Sequence, residues 1–358
     1  PLDECRPLWE AYLIDGAGGD DGNAVAFRIN HSIGDGFALM YVLFGLVDDP
    51  DSVEMPMGIM PDPPSVDAFS EEEDDESPDI PEPTETPSNP DDEDDSGLSL
   101  FDDGPLKTAR LAGKAVTTGW NLLTQDEEAE TSLRGTVGTT KRAGWTEEIE
   151  LDTIRAIGQA NDATINDVLL AALTGALRRL LEDRGEGVEG LELRTTVPVN
   201  LKPLDERDAS LGNYFGLAFV PIPVGEADLN ERIRIIHERM DAQKAGLEAL
   251  LMYLTLSVGG HTPDMVLDWL MEQFENRATG VVTNVPGPVE SVEFAGKEVT
   301  DVMFWVPQAN DQGIGISIFS YDGSVRVGIA ADENLLSDPA RLGEAFEQEI
   351  ESLAEGIE

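Results

Sequence analysis

The heptapeptide Asn30-His31-Ser32-Ile33-Gly34-Asp35-Gly36 stands between two apolar segments of different character. Residues 24–29 before it form an apolar run typical of a buried strand, and residues 37–44 after it have the spacing of a buried helix. An imidazole, whose pKa is ordinarily about 6.5, can take a proton from an alcohol or a thiol at neutral pH. His31 is therefore a candidate general base, and a histidine that only packs or hydrogen-bonds at a strand end fits the same pattern.

The other residues of the heptapeptide limit the reactions and ligands that are expected of it. The short side chain of Asp35 can bond backbone amides or an arginine such as Arg28 or Arg194, and Gly36 permits a tight bend where the helix begins. Ser32 is not expected to be a nucleophile, since neither a G-x-S-x-G elbow nor a second histidine supports that role. A phosphate-binding loop is not expected either, because neither of the glycine-rich phosphate motifs accompanies this stretch.

The most unusual property of this chain of 358 residues is its charge. It has 72 acidic and 23 basic side chains, which give a formal net charge of -49. Such a polyanion repels nucleic acid and has no basic patch for an anionic membrane. Acidic residues are spread over predicted helices as well as a linker, and only six residues are lysine. This distribution favours a surface adapted to molar salt, which screens charges beyond about 3 Å, over a few acidic tails.

Composition divides the chain into four segments. Residues 1–60 carry the histidine motif, and residues 61–105 are Pro-rich and acidic, which predicts a disordered linker. Residues 106–139 form a connecting helical segment, and residues 140–358 form a C-terminal subdomain of mixed α/β class. Strands are predicted at 8–14, 24–29, 140–151, 191–201, 216–224, 279–283, 292–305, 313–319 and 324–330. Helices are predicted at 37–44, 106–123, 152–160, 164–181, 228–247, much of 250–274, and 339–353.

The cysteine count and the lengths of the apolar stretches are evidence on the cellular location of the protein. Cys5 is the single cysteine, so no internal disulfide can form, which fits a reducing cytoplasm. No apolar stretch approaches the roughly 18–20 residues that span a bilayer, and no signal peptide is expected.

Six further motifs accompany the heptapeptide, each weak alone but specific in this order. They are Pro7-Leu8-Trp9, Arg142-Ala143-Gly144-Trp145, Asn166-Asp167, Val197-Pro198-Val199-Asn200-Leu201 followed by Gly212-Asn213, Asn284-Val285-Pro286-Gly287-Pro288, and residues 320–332. With His31 and Asp35-Gly36, they resemble the bacterial-type wax ester synthase/diacylglycerol acyltransferase family over nearly the whole chain except the acidic linker.

The resemblance implies a chloramphenicol acetyltransferase-like α/β fold, shared with the condensation domains of peptide synthetases. In it two similar subdomains with mixed sheets meet along a central channel, and the histidine lies at the channel's centre. The implied reaction moves a fatty acyl group from acyl-CoA to a long-chain alcohol or diacylglycerol, with no cofactor beside the acyl-CoA substrate. The implied location is the cytoplasm, either free or peripheral to a membrane or lipid body.

Two departures from the family pattern stand out. The family carries a His-His pair where this chain has Asn30-His31, and the second histidine is the catalytic one. The family also has a substantial segment ahead of Pro-Leu-Trp, whereas this chain begins almost at Pro7, so the first subdomain is expected to be truncated or reduced.

The resemblance also assigns roles. His31 removes the proton of the acceptor hydroxyl as that oxygen attacks the thioester carbonyl, while Asp35 is expected to be structural. Asn166-Asp167 starts a helix with Thr164 as N-cap, or its amide shapes the oxyanion environment. The 284–288 segment must bend away from its sheet, because proline cannot continue a central strand, and is expected to line the channel. Further channel candidates, which fit plain core equally, are Phe37, Leu39, Met40, Phe304 and Trp305.

The remaining histidines predict no metal site. His237 is expected to face solvent on a charged helix, and His261 to lie in a loop, neither with ligand neighbours at metal spacing. Two other functions stay open. One is a catalytically idle scaffold or binding protein of the same fold, suggested by Asn30, the short N-terminal part and the acidic linker. The other is a condensation-type enzyme acting on carrier-bound acyl groups, although the chain contains no carrier domain.

Overall fold

The computed structural model of the protein describes residues 2, 7–17, 22–55, 128–200, 213, 215–244, 277–308 and 312–357. Residues 1–63 and 127–358 belong to one compact unit. The acidic linker, the helices predicted at 106–123 and within 250–274, Cys5 and His261 lie outside the described residues. The segment boundaries expected from composition stay predictions.

The chain begins with an antiparallel hairpin. Its strands are β1 (Trp9–Asp15) and β2 (Asn23–Ile29), with Trp9 opposite Ile29. The strand predicted at 24–29 is confirmed, but its predicted burial was wrong, because none of its residues is fully buried. In the described part of the chain β2 pairs only with β1, and its residues are exposed or half-buried because no second strand flanks it there.

A mixed sheet of seven described strands forms the centre of this unit. The strands are β3 (Lys141–Trp145), β4 (Ile149–Glu150), β5 (Leu193–Asn200), β6 (Phe215–Ile222), β7 (Gly280–Pro286), β10 (Ile314–Tyr321) and β11 (Ser324–Asp332). Their order is β3-β11-β10-β7-β5-β6, with β4 paired to β11. Strands β10 and β5 run parallel to β7, and the other pairs are antiparallel. The α/β class with a mixed sheet is thus confirmed.

Two predicted strands are shorter than expected. The segment 140–151 is split into β3 and β4, and Leu151 already opens a helix. Within 292–305 only a small hairpin forms, from β8 (Glu293–Phe294) and β9 (Lys297–Glu298). The turn of this hairpin has positive φ at Ala295 (52°) and Gly296 (71°). Such a turn reverses the chain, so the longer predicted strand cannot continue through it.

Helices cover the sheet and enclose the main core. They are α2 (Leu151–Ala160), α3 (Ile165–Asp183), α4 (Leu229–Lys244) and α5 (Ala340–Glu355). Helix α3 is buried nearly all round and packs against the other three. Its start confirms Thr164 as the predicted N-cap. Thr164 and Asp167 form a capping box, in which they exchange side-chain and backbone hydrogen bonds.

A second, smaller core ties the histidine segment to the sheet. Helix α1 (Gly36–Phe44) follows the histidine loop, and its Met40 packs in a cluster with Val285 of β7 and Phe319 of β10. Phe44 stacks on Phe319 with ring centroids 6.4 Å apart. The position of the histidine loop is thus fixed by packing against the carboxyl end of β7.

Asp332 closes strand β11 as a fully buried carboxylate. It accepts hydrogen bonds from Lys141 Nζ (2.8 Å) and from the amides of Gly138 (2.8 Å) and Asn334 (3.0 Å). Burial alone would raise the pKa of Asp332, but the hydrogen bonds from Lys141 and the two amides outweigh it and hold the pKa below its ordinary value.

Asp332→Asn should lower the free energy of unfolding by about 1–3 kcal/mol at neutral pH, because the buried donors lose their charged acceptor. A depressed carboxyl pKa stabilises the fold above the ordinary value of 3.8, and this gain is lost as pH falls through the folded pKa. The gap in Tm between wild type and variant should therefore close below about pH 4. The neighbouring Glu333→Gln, which breaks only an exposed pair with Arg142, should cost less than about 1 kcal/mol. A gap that widens in acid would contradict this account.

Candidate active site

His31 is held from two sides in the loop between β2 and α1. Its Nδ1 lies 3.1 Å from Oδ1 of Asn213, and the Nδ2 of Asn213 donates to the carbonyl oxygen of His31, also at 3.1 Å. The ring of Phe215, at the start of β6, meets the imidazole edge-on with centroids 5.9 Å apart. The histidine is half-buried, so its ring is fixed by protein contacts yet not sealed from solvent.

Asn30, which replaces the first histidine of the family motif, orders this loop. Its Oδ1 accepts a hydrogen bond from the amide of Ser32 (2.9 Å), which bridges over His31 in an Asx turn. Its own amide donates to the carbonyl of Leu8 (2.9 Å). The Pro7-Leu8-Trp9 motif therefore lies beside the histidine loop, at the base of the hairpin, where Leu8 supplies a backbone acceptor. The Trp9 side chain is 54% exposed.

Asp35 and Gly36 have structural roles in the described contacts. The Oδ1 of Asp35 caps α1 by accepting hydrogen bonds from the amides of Phe37 (3.1 Å) and Ala38 (3.0 Å). Gly36 was expected to supply a tight bend, but its φ is not positive. A Cβ at this position would lie 3.4 Å from Cγ2 of Val285, an ordinary van der Waals contact, so space does not require glycine here either.

Two predicted motifs meet at the carboxyl end of β7. Nδ2 of Asn284 donates a hydrogen bond to Oδ1 of Asn166, in the first turn of α3. Strand β7 ends at Pro286, and the amide of Gly287 still donates to Ser320 O (2.9 Å) of β10, so the sharp bend away from the sheet stays a prediction. A Cβ on Gly287 would come within 2.5 Å of that same carbonyl, so only glycine fits. Pro288 follows and accepts a hydrogen bond from the amide of Asp322 through its carbonyl.

Asp167 makes a contact that the sequence did not predict. Its Oδ2 lies 2.7 Å from Nδ1 of His237, whose Nε2 lies 3.3 Å from Asp241, one turn further along α4. The prediction that His237 faces solvent without a carboxylate neighbour was wrong, because this side chain bridges the start of α3 to α4. The spacing of four residues to Asp241 was the signal available in the sequence.

The predicted channel residues divide between core and surface. Met40 is buried in the smaller core, and Phe37 and Phe304 pack against it, whereas Leu39 is half-buried. Trp305 is 41% exposed, donates its indole N–H to Gly144 O (3.2 Å) and meets Trp145 edge-on. Lining of a channel by these residues stays a prediction.

The opposite ends of β5 and β7 carry a buried acid. Burial raises the pKa of Glu128, against the hydrogen bonds that it accepts from the Arg194 amide (2.6 Å) and the Thr279 hydroxyl (3.0 Å). Arg194 is the second residue of β5 and Thr279 directly precedes β7, whereas Asn200 and Asn284 lie toward the carboxyl ends. The His31–Asn213 contact and the Asn166–Asn284 contact therefore lie at the carboxyl end of the parallel strands, whereas the buried Glu128 lies at their amino end.

Neither a metal cluster nor a membrane-spanning helix occurs in the described part of the chain. No group of three or more His, Cys, Asp or Glu side chains among those residues could hold a metal ion. None of the helices built from them is both long enough and apolar enough to cross a bilayer.

Solved structures with the same fold support the class assignment. Wax ester synthase/diacylglycerol acyltransferase from Marinobacter aquaeolei VT8 is 21% identical, with a TM-score of 0.63 over 99% of this chain and 73% of that one. The epimerization domain of tyrocidine synthetase B is 15% identical, with a TM-score of 0.51 over 98% of this chain and 73% of that one. The fold is therefore that of the condensation-domain, chloramphenicol acetyltransferase-like class.

Family comparisons make the assignment specific. Residues 1–169 match the wax ester synthase/diacylglycerol acyltransferase catalytic domain, and residues 211–354 match the C-terminal domain of the same family. A probable diacylglycerol O-acyltransferase of Mycobacterium tuberculosis is 26% identical over 98% of this chain and 72% of its own length. Wax ester synthase/diacylglycerol acyltransferase 4 of Arabidopsis thaliana is 24% identical over 100% of this chain and 71% of its own. The chain belongs to the wax ester synthase/diacylglycerol acyltransferase family and is an acyltransferase, which confirms the resemblance in its motifs.

Proposed function

We propose that this chain transfers a fatty acyl group from acyl-CoA to the hydroxyl of a long-chain alcohol or diacylglycerol, with His31 as general base. The observation that carries this proposal is the clamp on His31, whose Nδ1 and backbone carbonyl are both bonded to one asparagine. A histidine that only packed in a core would not need its ring orientation fixed from two sides. The second ring nitrogen, Nε2, is then the atom that takes the proton.

The proposed reaction needs no covalent enzyme intermediate. Nε2 of His31 accepts the hydroxyl proton as the alcohol oxygen attacks the thioester carbonyl. The tetrahedral intermediate collapses with cleavage of the C–S bond, and the imidazolium returns its proton to the departing thiolate. The products are an ester and free CoA, and no cofactor or metal enters the balance. Asp35, Gly36, Asn166 and Asn284 hold the loop, the helix starts and the strand end around this histidine.

Incubation with labelled palmitoyl-CoA and a panel of acceptors tests the proposal. Hexadecanol, diacylglycerol and water should be compared in about 2 M KCl, with products identified by mass. An ester that depends on an alcohol acceptor supports the proposal. Hydrolysis alone would contradict it, absence of any product would favour an idle scaffold, and turnover only of a carrier-bound thioester would favour a condensation-type enzyme.

We further propose that the acidic surface is an adaptation to molar salt in a cytoplasmic enzyme, which contacts lipid surfaces peripherally to reach its apolar acceptor. The charge of -49 supports this, because most carboxylates have no basic partner when acids outnumber bases 72 to 23. At 0.1 M ionic strength the Debye length is about 10 Å, so neighbouring carboxylates repel one another and the phosphates of CoA.

Activity and Tm should therefore both rise steeply between about 0.05 M and 2 M KCl, where the Debye length falls toward 3 Å or less. Relief of repulsion toward CoA should lower the KM for acyl-CoA, whereas relief of self-repulsion should raise Tm. Sucrose at matched osmolarity is the control, since it favours compact states without screening charge. Equal folding and activity at both salt concentrations would overturn the adaptation to salt and leave the acyl-transfer proposal standing.

A further inference from the structure

We infer that Asn213 is a positioning residue that selects the tautomer of His31 with the proton on Nδ1 and the lone pair on Nε2. This deepens the proposed function and rests on it, since it specifies which ring nitrogen acts as the base. Asn213 lies 182 residues beyond His31 in the chain, two positions before Phe215 at the start of β6. It contacts no reacting atom and acts only through the imidazole and its backbone.

The orientation of the Asn213 amide follows from its second partner. The carbonyl oxygen of His31 can only accept a hydrogen bond, so the group facing it at 3.1 Å must be the NH2 of Asn213. This turns the amide oxygen toward Nδ1 of the ring, also at 3.1 Å. The flipped amide would oppose two acceptors at the carbonyl, so the contact to the backbone decides the assignment.

The amide oxygen in turn decides where the imidazole proton sits. An amide oxygen only accepts, so a neutral ring that bonds to it carries its hydrogen on Nδ1. The lone pair then lies on Nε2, which becomes the single basic position of the ring. After proton transfer the imidazolium keeps its Nδ1–H bond to Asn213, so the contact survives the reaction and no reorganisation is needed.

Other anchors hold the ring in place for this clamp. Phe215 packs edge-on against the imidazole, and its strand β6 pairs with β5 so that Phe215 lies opposite Asn200. The Asn30 side chain fixes the loop from the other direction through the amide of Ser32. Among the described residues, Asn213 is the one that forms a hydrogen bond with a ring nitrogen of His31. Its role therefore differs from that of residues that only support the loop.

Nitrogen NMR of the protein labelled with 15N-histidine tests the inference without relying on catalysis. The chain has three histidines, so the spectrum can be assigned with His31→Ala and His237→Ala variants. We expect neutral His31 to show a protonated Nδ1 and an unprotonated Nε2. Asn213→Ala should convert it to a mixture or to the other tautomer. Asn213→Asp keeps an acceptor facing Nδ1 and should preserve the tautomer, although it loses the donor to the His31 carbonyl. An Nε2–H tautomer in the wild type overturns the inference, even if the variants fail to fold.

Kinetics of the same variants give the second arm. Asn213→Ala should lower kcat on the order of tenfold with little change in KM, less than the loss of the base itself, worth about 10²–10⁴-fold. Asn213→Asp should lose less. Asn161→Ala is the matched control, because that asparagine bonds a backbone carbonyl at the end of α2 (3.0 Å) without touching His31. An unchanged kcat in Asn213→Ala overturns the inference. A wild type with the expected tautomer but no acyl transfer refutes the proposed function alone.

Discussion

Replacing His31 by alanine should lower kcat/KM for acyl transfer by about 10²–10⁴-fold, the usual contribution of a positioned general base. Without the imidazole, the alcohol must attack as a neutral hydroxyl and lose its proton to water. The fold should survive, because His31 is half-buried in a loop and lies outside both apolar core clusters. Loss of its bond to Asn213 should cost about 0.5–1.5 kcal/mol.

Ser32→Ala is the matched control for His31→Ala. Ser32 is exposed, and its backbone amide, which the substitution keeps, makes the bond to Asn30. Its kcat/KM should stay within about twofold of wild type, as for other exposed substitutions. Retention of more than about a tenth of wild-type activity in His31→Ala would contradict a base role worth 10²-fold or more. A large loss in Ser32→Ala would reopen the serine nucleophile that the sequence argues against.

Local signals in the sequence predicted most of the described elements. The helix from Thr164, with its capping box, and the strands around Leu193 and Ile314 each combine a start signal with a clear apolar period, and each forms within a few residues of its predicted bounds. The failures occurred where burial depends on a distant partner. Residues 24–29 are as apolar as a central strand, but nothing in their own sequence states that β1 is their only partner in the described residues.

The candidate site shows the same division. The heptapeptide, the Asn166-Asp167 pair and the 284–288 segment were recognised as motifs. The structure brings them close through the Asn166–Asn284 hydrogen bond and the packing of Met40, in the helix after the heptapeptide, with Val285. The role of Asn213 was not predicted, although Gly212-Asn213 was noticed, because its contact crosses 182 residues and depends on how β6 docks. The periodicity of the sequence indicates which face of a helix is apolar, but it does not indicate that His237 contacts the buried carboxylate of Asp167.

Asn30 illustrates why a departure from a family motif has to be judged by contacts. A histidine at this position would place an imidazole beside the amide of Ser32, whereas the shorter asparagine brings its oxygen 2.9 Å from that amide. Asn is among the residues that most readily stabilise such turns. The substitution therefore removes one imidazole and keeps the loop that presents the other, which is consistent with activity rather than an idle scaffold.

The largest stability effect is expected at a buried ion pair between the helices. Arg232 of α4 and Glu349 of α5 are both almost fully buried, with Nη1 2.6 Å from Oε2. Arg179 of α3 bonds the other carboxylate oxygen at 2.5 Å, and the Arg232 guanidinium also donates to the carbonyl of Glu226. Gly175 makes room for the pair, because a Cβ there would lie 2.0 Å from Oε2 of Glu349.

Glu349→Gln should lower the free energy of unfolding by about 3–5 kcal/mol, because Arg232 would keep its charge in an apolar interior without a counter-ion. Chemical denaturation at fixed salt measures this loss. Glu182→Gln is the control, since Glu182 pairs with Arg178 on a more exposed face of α3 and should cost only about 0.3–0.5 kcal/mol.

The double variant Arg232→Met with Glu349→Leu tests the origin of this loss of stability. The loss comes either from the missing attraction between the two charges or from the buried Arg232 charge that is left without its counter-ion. If the cost of Glu349→Gln comes from an uncompensated buried cation, removing both charges should recover more than half of the loss. Arg179 can then turn to solvent, because its side chain is already 41% exposed. If the pair instead contributes net attraction, the double variant should be as unstable as the single one. Since desolvation of two ions commonly offsets their mutual attraction, we expect recovery.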